Sequence, residues 1–248
     1  LEQLIDGPAM RQAATILGEG RRVVATGLWG SSGHLAAGAV ARRLDRPVLL
    51  IVAHLDDADE AVDDLALVDP LDAVALPALE VMPGESNVSL ELLAERLALV
   101  RRLIDGDQPR VIVAPIQALM QAVPEQQAMG RMIRRIDPGD TVDLGELGGW
   151  LTEVGYSRVE AVGQPGEFAM RGGIIDVFAP GQTAPVRIDL FGDEVDTPSE
   201  FDIDSMGSTR KLETVNLVGA GTEQMQDIEH TTSFWSLLSD QTVFVLHE

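Results

Sequence analysis

The turn Gly27-Leu28-Trp29-Gly30-Ser31-Ser32-Gly33-His34 is the first stretch whose residue types could do chemistry. A glycine-rich turn between a strand and a helix lets backbone N–H groups and the positive helix end close on a phosphate. A hydrolytic loop of this kind needs G-x-x-x-x-G-K-[ST], with lysine on the terminal phosphates and the hydroxyl on magnesium. Here His34 and Leu35 follow Gly33, and Leu28 stands where the first glycine belongs. The single lysine of the chain, Lys211, lies in a distant segment. Two readings remain: a degenerate loop that only shapes the fold, and a loop that still binds a nucleotide or another anion. The missing lysine argues against hydrolysis.

Asp202 to Glu213 (DIDSMGSTRKLE) is a second candidate, because Asp202, Asp204, Gly207 and Glu213 fall at calcium-loop positions. Met206 occupies a ligand position, however, and Arg210 and Lys211 put cations where acids are wanted. A polar turn between two strands is the expectation. The histidines, His34, His54, His230 and His247, lie far apart and show no H-E-x-x-H spacing. His54-Leu55-Asp56-Asp57 reads as a strand end entering a helix cap, and the acids from Asp56 to Asp64 as a solvated helix face. No G-x-S-x-G elbow is present. Neither catalytic residues nor a cofactor or metal site is expected.

The third candidate is a surface rather than a reaction centre. In the run Val186 to Phe191, alternation turns Val186, Ile188 and Leu190 to a core and Arg187, Asp189 and Phe191 to the opposite face. In the run Glu167 to Phe178, Phe168 and Met170 share one face and Arg171 takes the other, just before Gly172-Gly173. Adjacent glycines there suggest a bulge or a close backbone approach. If the two runs pair across the Pro180-Gly181 turn, Arg171, Arg187 and Phe191 gather on one face. Arginine and aromatic side chains are enriched among interface hot spots. The alternative is that Phe191 covers a secondary core while both arginines pair with Asp176, Asp189 or Glu194.

Composition narrows the classes further. A formal charge of −22 repels a polyanion, so nucleic-acid binding by these residues is not expected. The absence of cysteine excludes disulfides, cysteine-ligated zinc and thiol catalysis, and fits a cytoplasmic protein. No apolar run reaches the roughly 18 residues that cross a bilayer, and no basic-then-apolar leader is present. A sequence that begins at Leu1 fits a processed or excised piece of a longer chain.

The elements that would position these candidates come in two patterns. Up to about Val123, strands at Arg22–Thr26, Pro47–Ala53 and Arg110–Pro115 alternate with helices at His34–Leu44, Asp56–Leu67, Ser89–Ile104 and Gln117–Ala122. Such alternation predicts a mostly parallel α/β sheet. From Met132 the chain is β-rich, with one helix at Leu144–Val154 and strands at Ser157–Val162, Glu167–Phe178, Val186–Phe191 and near Leu212–Leu217. A helix near Ser233–Leu238 and a strand at Thr242–Leu246 then restore the first pattern. The fold class expected is α/β, with an α+β domain inserted: residues 1–123, then 124–217, then 218–248 returning to the first domain.

The segment GEFAMRGGIIDVFAPG…PVRIDLFGDEVDTPSEFDIDS resembles the UvrB-homology region, the UvrA-binding module shared by transcription-repair coupling factors and UvrB. The R-G-G-I-I-D core, the P-V-R-I-D-L-F-G-D-E run and the F-D-I-D-S turn carry the resemblance. Arg110 to Gln121 (RVIVAPIQALMQ) extends it toward the first domain. The resemblance implies a degenerate P-loop, helicase-like sheet domain with the UvrA-binding domain inserted. It also implies that Arg171, Arg187 and Phe191 face UvrA. UvrB keeps an intact phosphate loop, whereas the coupling factors carry a degenerate one, so the lost lysine favours the N-terminal region of a coupling factor. That implies a non-catalytic adaptor, whose relatives reach RNA polymerase and DNA through domains lying outside these residues. The alternative is a nucleotide-binding or hydrolysing UvrB-like domain.

Overall fold

The computed structural model describes residues 5–68, 71–79, 89–203, 205, 207–219 and 230–247. These residues fall into two compact units. The first comprises Leu1–Ala78, Arg102–Val123 and Ser233–Glu248, and the second Leu79–Arg101 and Pro124–Thr232.

The first unit is built on a parallel sheet. Val48–Val52 (β1), Ala73–Ala75 (β2), Val111–Pro115 (β3) and Val243–Leu246, the last strand of the chain, lie in the order last strand, β1, β3, β2. Val48 is opposite Val111 on one side and Val243 on the other. Central strands of a parallel sheet are covered on both faces, which is why VLLIV and VIVAP are apolar without alternation. Helices Pro8–Gly18 (α1), Ser31–Leu44 (α2) and Asp56–Val68 (α3) pack there. Ala37, Val40, Ala41, Ala58, Ala61 and Leu65 close over Val48, Leu50, Val52 and Val113. Helix Leu90–Ile104 (α4), which belongs to the second unit up to Arg101, begins at Ser89, whose Oγ accepts the Leu92 N–H at 3.5 Å. It buries Leu93, Leu97 and Val100 along one stripe.

One expected strand is missing. Residues 21–26 are irregular and largely exposed, with Val24 88% accessible. The β-branched valines favour extended backbone, but no described strand pairs with them, and strand propensity needs a neighbour to act on. The expected helix Gln117–Ala122 shrinks to one turn, Ile116–Leu119 (α5), followed by the short strand Val123–Pro124 (β4). The expected terminal helix is a 3-10 turn at Phe234–Leu237.

The second unit is antiparallel in most of its pairings. After Gln126–Met132 (α6), Ile133–Ile136 (β5) and Leu144–Glu153 (α7) come Ser157–Arg158 (β6), Glu167–Arg171 (β7), Ile174–Phe178 (β8), Val186–Phe191 (β9) and Glu194–Val195 (β10). Ser199–Phe201 (β11), Ser208–Lys211 (β12) and Val215–Val218 (β13) complete it, with the large sheet ordered β12-β11-β9-β8-β7-β6. Asp143 caps α7 by accepting the Glu146 N–H at 2.8 Å. The inner face of that helix, Leu147 and Leu151, lies on Phe168, Ile175, Val177, Val186 and Ile188. Gly148 lies close under Met170, whose sulfur would stand 2.7 Å from a Cβ there and would have to move aside for one.

Three expected strands are shorter in the structure. Glu167–Phe178 is a hairpin, not one run: Gly172-Gly173 is its two-residue turn, pairing Arg171 with Ile174. Gly172 sits at φ +60°, a left-handed conformation that glycine adopts without a Cβ clash. Ser157–Val162 shortens to two strand residues, and Val162 instead joins Ala169, Phe178 and Phe201 in a small second cluster. The expected strand near Leu212–Leu217 begins only at Val215, as β13, which pairs with β5 outside the large sheet.

Candidate protein interface

The hairpin register decides what meets on the outer face of the large sheet. With Arg171 opposite Ile174, Ala169 falls opposite Asp176, Asp176 opposite Arg187, and Arg187 opposite Ser199. Asp176 is therefore enclosed by neighbouring strands, its side chain 2% exposed. It accepts two hydrogen bonds from Arg187, from Nε at 2.7 Å and Nη2 at 2.9 Å. Arg171 Nη2 donates a third, longer one at 3.3 Å. The Arg187 guanidinium lies over the Phe201 ring, 4.6 Å from its centroid. Its hydrogen bonds to Asp176 hold it charged, above the usual arginine range, against a smaller opposing effect of burial.

The three expected surface residues are not equivalent. Arg187 is largely sunk into the sheet, 18% exposed, whereas Arg171 is 53% exposed and reaches Asp176 from the rim. Phe191 is 89% accessible. It shares a strand face with Arg187 and Asp189, about 13 Å along β9 from Arg187 at strand rise, and pairs with Glu194 across a turn where Gly192 has φ +68°. The structure thus gathers Arg171 and Arg187 on one carboxylate and leaves Phe191 bare beyond them. The alternative in which Phe191 covers a secondary core fails, while its second half, arginines paired with Asp176, describes what is seen. The role of Phe201 carried no sequence signal of its own. Asp176 becomes central once the glycine pair is read as a turn.

A model of the UvrB interaction domain family matches residues 135–222, which contain all of this surface. This chain carries a UvrB interaction domain. The chain is also 35% identical over 193 residues to the transcription-repair-coupling factor of Bacillus subtilis, covering 77% of this chain and 16% of that protein. The transcription-repair-coupling factor of Mycobacterium bovis is 33% identical over 192 residues, covering 74% of this chain and 15% of its own length. That of Escherichia coli is 29% identical over 182 residues, covering 73% and 16%. The chain spans about one sixth of the length of these relatives.

Outside the UvrB interaction domain, the glycine-rich turn is exposed, and the helix start that follows it is occupied by protein side chains. Gly27 and Gly30 both have positive φ, +80° and +51°, and Ser32 Oγ accepts the Trp29 N–H at 2.7 Å. His34, where a phosphate loop has its lysine, is 4% exposed and meets Asp64 through Nδ1–Oδ2 at 2.7 Å. That bond holds the Asp64 carboxyl below the usual carboxylate range. Asp64 is thus a partner of the core, a correction to the solvated-face reading of Asp56–Asp64. The His247 ring packs edge-on against His34, 5.1 Å between centroids, and occupies the space beside Gly33 where a Cβ would come within 2.3 Å. His54 behaves as a strand end meeting a cap, its N–H donating to Asp57 at 3.1 Å.

The calcium-loop candidate starts just after β11 and runs through the whole of the antiparallel strand β12, so its second half is strand rather than loop, and Asp204 and Met206 lie outside the described residues. Asp202 accepts the Ser205 N–H at 2.8 Å and so closes a turn. Among the described residues no group of three or more His, Asp or Glu is placed to hold a metal ion. None of the described helices is long and apolar enough to cross a membrane.

Proposed function

We propose that this chain is the non-catalytic, UvrA-recruiting part of a transcription-repair coupling factor, acting in the cytoplasm in nucleotide excision repair of transcribed strands. In this reading Arg171, Arg187 and Phe191 are the residues on which the UvrA-docking surface is built. Residues 1–123 and 218–248 make a degenerate P-loop, helicase-like scaffold around an inserted domain at 124–217. RNA polymerase and DNA are engaged by parts of the longer relatives outside these residues. The observation that carries the proposal is Phe191: a bare phenylalanine at a hairpin tip, inside a UvrB interaction domain and on the same strand face as Arg187. An exposed aromatic held by rigid strands contributes area to a complex at little entropic cost.

The loop geometry supports the non-catalytic part. A lysine reaching phosphates is replaced by a histidine turned into the core. Titration with ATP and magnesium should therefore give no saturable heat, and saturable binding would favour the nucleotide-binding alternative instead. Hydrogen exchange with and without UvrA tests the docking surface. Amides of residues 171–174 and 189–194 should become protected, and protection confined to other segments would refute the assignment.

A further inference from the structure

We infer that Asp176 is the positioning residue of the docking surface, fixing Arg171 for its partner, and that Arg187 acts through Asp176 rather than by reaching out. The inference rests on the reading of this face as the UvrA-docking surface. Its basis is the unequal sharing of one carboxylate. Both Asp176 oxygens are engaged by Arg187, at 2.7 and 2.9 Å, and the same guanidinium is stacked on Phe201 at 4.6 Å. An arginine so held, and only 18% exposed, has little of its fork left to offer another protein. Arg171 is the reverse. A single nitrogen touches Asp176 Oδ2 at 3.3 Å, and half of the side chain faces solvent at the edge of the Gly172-Gly173 turn.

A long arginine tethered at one point loses less rotamer freedom on binding than one that waves free. The tether comes from Asp176, whose two oxygens are kept in place by Arg187. Arg187, Asp176 and Phe201 then make a buried frame, with Arg171 and Phe191 the two groups that meet the partner. The partner surface that fits is a carboxylate beside an apolar recess.

The test is a set of double-mutant cycles on UvrA affinity, measured with the whole chain by calorimetry and with folding followed by circular dichroism. Asp176→Asn keeps the shape and removes the charge that holds Arg171. Arg171→Ala should weaken binding about tenfold or more in the parent, and by less than threefold in the Asp176→Asn background. Phe191→Ala should cost the same fold-change in both backgrounds, since Phe191 stands apart from the ion pair. A merely structural role for Asp176 would leave the Arg171 effect unchanged, and that result overturns the inference. So does an Asp176→Asn variant in which the Phe191 effect also vanishes, because the whole face is then lost. If Asp176→Asn does not fold, the neutral pair Asp176→Asn/Arg187→Gln, which leaves no lone charge in the sheet, carries the same cycles. Failure of the parent to bind UvrA sinks the docking reading and the inference together. Parent binding with additive cycles sinks the inference alone.

Discussion

At the scale of single residues, one enclosed carboxylate divides the work among the side chains around it. Removing Arg187 leaves Asp176 inside the sheet with only the 3.3 Å contact to Arg171. Breaking a buried ion pair from one side costs about 3 kcal/mol or more, so Arg187→Ala should lower stability by about that amount in urea unfolding. Arg171→Ala removes a half-exposed partner, and its effect on stability should stay within about 1 kcal/mol. If the two variants unfold at the same urea concentration, Arg187 is not the main partner of the enclosed carboxylate. A second residue pair responds to pH. Asp64 is held below its ordinary range by His34, so its stabilisation is present above the unfolded carboxylate pKa and is lost as pH falls through the lower folded value. Asp64→Asn should therefore cost about 2 kcal/mol at neutral pH and progressively less as pH falls below the ordinary carboxylate range, in thermal melts. A constant difference at every pH would contradict a stabilising Asp64 carboxylate.

At the scale of elements, what was legible in the sequence followed from periodicity, and what was lost followed from pairing. Val186–Phe191 could be read residue by residue, because strict alternation with a single buried face leaves one orientation for Arg187 and Phe191. The apolar runs PVLLIVA and RVIVAP were equally plain, since central parallel strands are buried on both sides. Gly172-Gly173 was harder. A glycine pair in a strand suits a bulge as well as a turn, and only the pairing partner decides between them. Its reading as a turn is what places Asp176 beside Arg187. The valines at positions 23 and 24 failed for the same reason in reverse, an extended preference with no described neighbour to satisfy it. The turn itself is testable. Gly172→Ala forces a Cβ into φ +60° and should cost about 1 kcal/mol, with β7 and β8 amides losing exchange protection before the rest of the sheet. An unchanged stability would mean that the hairpin tip relaxes without strain.

At the scale of the whole molecule, charge and surface point away from nucleic acid and toward protein. Seventeen arginines and one lysine face forty acids, a net −22. Several of the arginines are committed to ion pairs within the fold, as at Asp176, Asp72 and Glu146. Counterion release from a phosphate backbone needs a basic face, so the chain should not shift double-stranded DNA in a gel at physiological salt, and a salt-dependent shift would contradict this. The central claim is that the outer face of the UvrB interaction domain recruits UvrA through Arg171 and Phe191. The measurement that tests it most directly is a calorimetric titration of purified UvrA into this chain, parent beside Phe191→Ala. The parent should bind saturably, and the variant, with an unaltered circular dichroism spectrum, should bind about tenfold or more weakly. Equal affinity for the two proteins would contradict the account.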